Sequence, residues 1–235
     1  ANFVFRFCVD KGPDTTPPLI VSTSILNGFP IAFGTTSVPL DVYVNEPAEC
    51  KWSRNDIGYD NMENTLLCPN QASQMNAQGV YTCSTNLAGL KDREDNWFYF
   101  RCKDKPGAAE SDRFVNEASY GLLLKGTQPL VIEEVEPDGE TIRDSTNSIR
   151  INLTAKTSAG YKLGEATCSF SGSDTGGNFI GFLNTGGYQH SQPLSLTAGE
   201  HTYNIQCIDL GGNADNETVS FTVETDTQSP AVVRA

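Results

Sequence analysis

Histidine is nearly absent from this chain of 235 residues, which holds only His190 and His201. A catalytic triad needs a base held between a nucleophile and an orienting group, and neither lone imidazole carries such partners in its sequence surroundings. Basic side chains are also scarce: 16 Lys and Arg stand against 29 Asp and Glu, for a net charge of −13. That balance opposes nucleic-acid binding through phosphate neutralisation and docking on an anionic membrane. No apolar run is long enough to span a bilayer, and no signal-peptide pattern is present. Ala1 is therefore either a mature N-terminus or a cut inside something longer. The seven cysteines contain no C-x-x-C pair, so the spacing of a zinc site is missing. Strong helix formers are sparse, whereas Gly, Pro, Ser, Thr and Asn are plentiful, a composition that points to an all-β chain.

What is present is a repeat. Pro47-Ala48-Glu49-Cys50-Lys51-Trp52-Ser53 returns as Glu165-Ala166-Thr167-Cys168-Ser169-Phe170-Ser171, with alanine two before the cysteine and an aromatic two after it. Each copy has a downstream partner, Trp97 to Asp104 and Thr202 to Asp209, a period-two stretch closing on Cys-x-Asp. Alternate side chains of a strand share a face, so Ala48, Cys50 and Trp52 point one way, as do Phe98, Phe100 and Cys102. The cysteines thus sit on the apolar side, and the repeat pairs them as Cys50–Cys102 and Cys168–Cys207. Cys68 and Cys83 fall together in a polar stretch found only in the first copy, where they are expected to staple a surface excursion. Paired cysteines imply an oxidising, extracytoplasmic compartment. Asn152-Leu153-Thr154 and Asn216-Glu217-Thr218 are N-glycosylation sequons, in keeping with secretion.

Proline-containing joints mark the boundaries. Thr16-Pro17-Pro18-Leu19-Ile20 returns as Gln128-Pro129-Leu130-Val131 and as Ser229-Pro230-Ala231-Val232, and the spacing from Pro18 to Pro129 is 111 residues, from Pro129 to Pro230 101. These lengths approach the ~100 residues of an immunoglobulin-type sandwich. The expected plan is an N-terminal strand and linker over 1–17, a first domain over 18–128, a second over 129–228 and a linker or first strand over 229–235. Phe3, Phe5, Phe7 and Val9 share one face of a clear strand, with Cys8 opposite beside Arg6. That register suits the last strand of a preceding module, or a strand donated to another subunit. Cys8 is the odd thiol, either free or bonded outside its own module.

The stretch from Ala198 to Asn213, strand, Cys-x-Asp and glycine turn, resembles the penultimate strand and turn of immunoglobulin-like repeats in prokaryotic surface proteins. The resemblance covers both modules and implies two tandem antiparallel β-sandwiches, with the extra N-terminal strand pairing with a neighbouring module or subunit. Antibody-type domains place their first cysteine on the second strand; here it follows a complete strand, so the bridge is expected to join the third and sixth strands rather than the two sheets. The function implied is non-catalytic: a structural protein of the cell surface, part of a filament or stalk that self-associates head to tail by strand donation or continues as a tandem array. The rival is an adhesin that grips a glycan or protein through loops 55–81 and 171–187, with Tyr59, Tyr81, Phe179, Phe182 and Tyr188 as candidate contact aromatics; covering the open ends of each sandwich is the favoured role for the same five, since scattered exposed aromatics are common.

Two further patterns are weighed against turns. Asp174-Thr175-Gly176 matches the aspartic-protease tripeptide but has no second copy to complete a carboxylate pair. Asp209, Asn213 and Asp215 are the candidate calcium ligands, oxygen donors spaced through a glycine turn, although calcium takes six or more oxygens and an Asp/Asn/Gly hairpin turn explains the same residues. No other cofactor is expected.

Overall fold

The computed structural model describes residues 15–225; the strand expected at Phe3 to Val9, Cys8 and the segment from 226 onward lie outside them. Among the described residues there are sixteen strands, five short 3-10 turns and no α-helix. The first eight strands are β1 (Ile20–Thr23), β2 (Phe29–Ile31), β3 (Ser37–Val44), β4 (Ala48–Ser53), β5 (Asn64–Thr65), β6 (Tyr81–Ala88), β7 (Asp95–Asp104) and β8 (Tyr120–Gly126). The next eight are β9 (Leu130–Glu136), β10 (Thr141–Asp144), β11 (Ile149–Ala159), β12 (Ala166–Gly172), β13 (Ile180–Gly181), β14 (Gln189–Leu196), β15 (Gly199–Asp209) and β16 (Ala214–Thr225). The chain divides into two compact units, one of residues 15–27, 37–88 and 97–123, the other of 28–36, 89–96 and 124–225.

Each sandwich pairs a three-stranded sheet with a five-stranded one. The first has orders β1-β3-β6 and β2-β8-β7-β4-β5; the second has β9-β11-β14 and β10-β16-β15-β12-β13. The two plans coincide strand for strand. Even the exception repeats, since β2 runs parallel to β8 and β10 parallel to β16 while the other pairs are antiparallel.

Period-two patterning decides which face enters the core. In β11, Ile149, Ile151, Leu153, Ala155 and Thr157 are buried while Arg150, Asn152 and Lys156 face solvent. In β3, Leu40, Val42 and Val44 are buried; in β7, Phe98, Phe100 and Cys102 are fully enclosed. The second core gathers Leu153, Phe170, Tyr203, Ile205, Val219, Phe221 and Val223 around Cys168 and Cys207. At about 25 cal/mol per Å² of apolar surface removed from water, these inward rows supply the main drive for folding.

The structure decides one placement the sequence left open and corrects another. Of the aromatics that suit either a contact surface or a cover over the ends of each sandwich, Tyr59, Tyr81 and Phe182 are buried. Phe182 stacks on Phe170 at 5.6 Å between ring centres. His190, expected in a loop, lies in β14 with its side chain enclosed.

Candidate functional site

The cysteines occupy facing positions on neighbouring strands. Cys50 of β4 stands opposite Cys102 of β7, and Cys168 of β12 opposite Cys207 of β15, with Cα separations of 4.1 and 4.0 Å. In an antiparallel pair the closest facing residues are those that do not exchange backbone hydrogen bonds. Their backbone groups turn outward accordingly. Cys102 N–H donates to the Asn116 side-chain oxygen and its carbonyl accepts from Asn116 N–H. The Cys50 carbonyl accepts from Leu66, and the Cys168 carbonyl from Phe182. Both bridges are formed, as is Cys68–Cys83, which ties the excursion to β6. The first two bridges are cross-strand links within one sheet and lie buried in the core.

What faces each bridge from the opposite sheet differs between the modules. In the first, Cys83 of β6 brings its sulfur to 3.8 Å from that of Cys50, so the two cystines touch across the sandwich. In the second, His190 of β14 takes the matching place beside Cys168 and Cys207. Its ring is held at both nitrogens. Thr157 donates its hydroxyl to the Gly164 carbonyl, so Nε2–H of His190 donates to Thr157 Oγ1 at 2.9 Å, and Nδ1 accepts from Thr185 Oγ1 at 2.9 Å. Thr185 in turn accepts from the Cys168 N–H. Burial holds the His190 imidazolium form at a disadvantage and pushes its pKa below the usual 6.5. Among the described residues two groups bring potential metal-binding atoms together, Cys50/Cys68/Cys83 and Cys168/His190/Cys207. Every sulfur in them is bonded to another sulfur, and the metal-binding form of cysteine is the thiolate.

The aspartate of Cys-x-Asp organises the turn that follows. The Asp209 carboxylate accepts from Tyr161 N–H at 2.7 Å, from Asn213 N–H at 2.9 Å and from the Asn213 side-chain amide at 2.7 Å. Asn213 passes its other contacts to Phe33 N–H and the Thr127 hydroxyl. Asp215 accepts from Ile132 N–H and Asn216 N–H. The oxygens of the calcium candidates Asp209, Asn213 and Asp215 therefore face N–H donors, which a cation would have to displace. Asp104, wholly buried, plays the same part in the first module by accepting from Phe114 N–H and pairing with Lys105.

Asp174 of the protease-like tripeptide accepts from the Tyr203 hydroxyl at 2.9 Å, and burial with this bond raises the Tyr203 pKa well above its usual 10.0. His201 bonds the Thr197 carbonyl and stacks on Phe221. Asn152 and Asn216 are both exposed on outward strand faces. Of the candidate contact aromatics, only Phe179 and Tyr188 are open to solvent, at 50% and 58%.

Both sandwiches carry the strand order of an immunoglobulin-like domain, with the short parallel strand added to the last strand of the five-stranded sheet. The chain is a tandem of immunoglobulin-like sandwiches. It matches no protein-family model and no curated protein. Among solved structures it is similar to the fibronectin(III)-like modules of Clostridium thermocellum CbhA, at 11% identity over 93% of this chain and 100% of that one, TM-score 0.49. It is similar also to a marsupial T cell receptor (13% identity, 92% and 75% covered, TM-score 0.49) and to the N-terminal Ig1-2 module of the Drosophila receptor protein tyrosine phosphatase DLAR (12%, 89% and 100%, TM-score 0.30). Strand order within the tandem immunoglobulin-like sandwiches, not these superpositions, carries the assignment.

Two measurements follow from the bridges and from His190. With 39 residues separating Cys168 from Cys207, the double variant Cys168→Ala/Cys207→Ala is expected to lose about 4 kcal/mol of second-module stability in urea unfolding. Because His190 is held neutral, the unfolded chain binds the extra proton. Its contribution is therefore complete above pH 6.5 and is lost as pH falls through the lower folded pKa. Urea midpoints between pH 8 and 5 are expected to show this loss in the parent and not in His190→Gln.

Proposed function

We propose that this chain is a non-catalytic extracellular structural protein, a subunit or segment of a prokaryotic cell-surface filament or stalk. The observation that carries the reading is the repetition of one covalently locked sandwich: the same strand order twice, with a cross-strand cystine at the same place in each. Such modules suit an adhesive or load-bearing role in an oxidising setting, where disulfides persist. The titratable groups nearest to chemistry, His190, Asp174 and Asp209, are spent on internal hydrogen bonds. Assembly proceeds through neighbouring modules of a tandem array or through a strand donated between subunits. The two described sandwiches match strand for strand, so a strand donated between subunits is expected to add at a sheet edge.

The rival reading, an adhesin, is supported by the exposed Phe179, Ile180, Leu183 and Tyr188 on the glycine-rich stretch of the second module. Four large apolar side chains exposed within residues 179–188 are a candidate interaction site.

Native material imaged by negative-stain electron microscopy is expected to be filamentous or stalk-like; dispersed single particles would count against the proposal. The natural polypeptide is expected to run far above 25.5 kDa for the array and near it for the strand-donating subunit. For the adhesin, binding on a glycan or protein array would be lost in Phe179→Ala and Tyr188→Ala, while unchanged binding in both variants would remove this patch as the contact.

A further inference from the structure

The excursion between β4 and β6 does more than cover the first sandwich. Its end, residues 76–80, stands beside the outer face of the three-stranded sheet β1-β3-β6 and encloses a groove of about 600 Å³. That volume lies within the ~300–1,000 Å³ typical of small-molecule sites. The floor is one cross-strand row: Ser22 of β1, Tyr43 of β3 and Thr82 of β6 stand opposite one another. Asp41, one pleat along on the same face, adds a carboxylate, and Val21 and Val80 add apolar edges.

The wall is built in advance. Asn76 Oδ1 accepts from Gln78 N–H and Val80 N–H, Asn76 N–H donates to the Val80 carbonyl, and Asn76 Nδ2 donates to Thr82 Oγ1 on the floor. Gly79 closes the loop at a positive φ of 80°. The Cys68–Cys83 bridge and the bond from the Tyr81 hydroxyl to the Ala72 carbonyl fasten the excursion to β6. With the wall so held, the Tyr43 hydroxyl and the Gln78 carboxamide make no hydrogen bond among the described residues, and both line the groove.

We propose that this groove binds a neutral saccharide. Its eight lining residues are Val21, Ser22, Asp41, Tyr43, Asn76, Gln78, Val80 and Thr82, with no basic group and one carboxylate. Phosphorylated, sulfated or sialylated ligands would meet repulsion and no counter-charge. A neutral pyranose offers hydroxyls to the carboxylate, carboxamide and hydroxyl groups, and a C–H face to the tyrosine ring, which presents an apolar body with a polar tip. The second module has no counterpart of the stapled excursion, so the site belongs to the first alone. It rests on the adhesin reading, to which it gives a ligand class and a contact alternative to residues 179–188, and the filament reading does not depend on it.

The test is an amide-shift NMR titration of the whole chain with neutral oligosaccharides (cellobiose, maltotriose, mannobiose, chitobiose), alongside sialyllactose, a heparin disaccharide and an extended neutral peptide. Shifts at Ser22, Tyr43, Gln78 and Thr82 are expected with at least one neutral sugar and not with the charged ones. Tyr43→Ala is expected to weaken that binding by about tenfold, and Gln78→Ala, a change confined to an exposed loop, to weaken it with the fold intact. No response to any neutral sugar, or a response to the peptide alone, overturns the proposal. Sugar binding that persists unchanged in both variants overturns the groove while leaving an adhesin that binds elsewhere.

Discussion

Two strands held face to face by a covalent bond at their closest approach set the terms for everything else in each module. At a Cα separation near 4 Å, Cys50 and Cys102, or Cys168 and Cys207, can lie only at a facing pair that leaves its backbone hydrogen bonds to other partners. That fixes the register of β4 on β7 and of β12 on β15. A slip of one residue would turn Ala48, Trp52, Phe98 and Phe100 to solvent together. The bridge therefore specifies which face is core as much as it adds stability. The Asp of Cys-x-Asp, two residues on, then spends its carboxylate on the turn that leads into the last strand.

The modules solve the same packing problem differently. The residue facing the bridge from the other sheet is Cys83, opposite Val42 on β3, in the first and His190, opposite Ala155 on β11, in the second. A second cystine fills the space with apolar sulfur and, in doing so, anchors a long excursion. A buried imidazole fills it with polar surface, which demands the threonines on both sides. The connections differ too. Residues 54–80, between β4 and β6, end at a bridge, whereas the shorter 173–188, between β12 and β14, are held by Phe182 packed on Phe170 and by Thr185 bonded to Cys168 N–H.

Much of this was legible in the residues. The alternation of Ile149, Ile151, Leu153 and Ala155, and of Phe98, Phe100 and Cys102, places strands and their inward faces without further help, since period two is unambiguous over such lengths. The short strands β2 and β10 were not, because three or four residues carry no period and their pairing with β8 and β16 depends on distant chain. β6 is illegible for another reason: only Tyr81, Cys83 and Leu87 of its inward row are apolar, and the polar excursion runs directly into it. His190 looked like a loop residue because its partners, Thr157 and Thr185, are 33 residues before it and five before it, with nothing in their spacing to signal a shared site. The groove beside Tyr43 was equally hidden, since it exists only once the stapled excursion has folded onto the neighbouring sheet.

The central claim, that each module is locked by its own cross-strand cystine, is tested most directly by non-reducing peptide mapping of the native protein by mass spectrometry. The account predicts linked peptides joining Cys50 to Cys102, Cys68 to Cys83 and Cys168 to Cys207. Reduced thiols at these positions, or a bond from one module to the other, would contradict it.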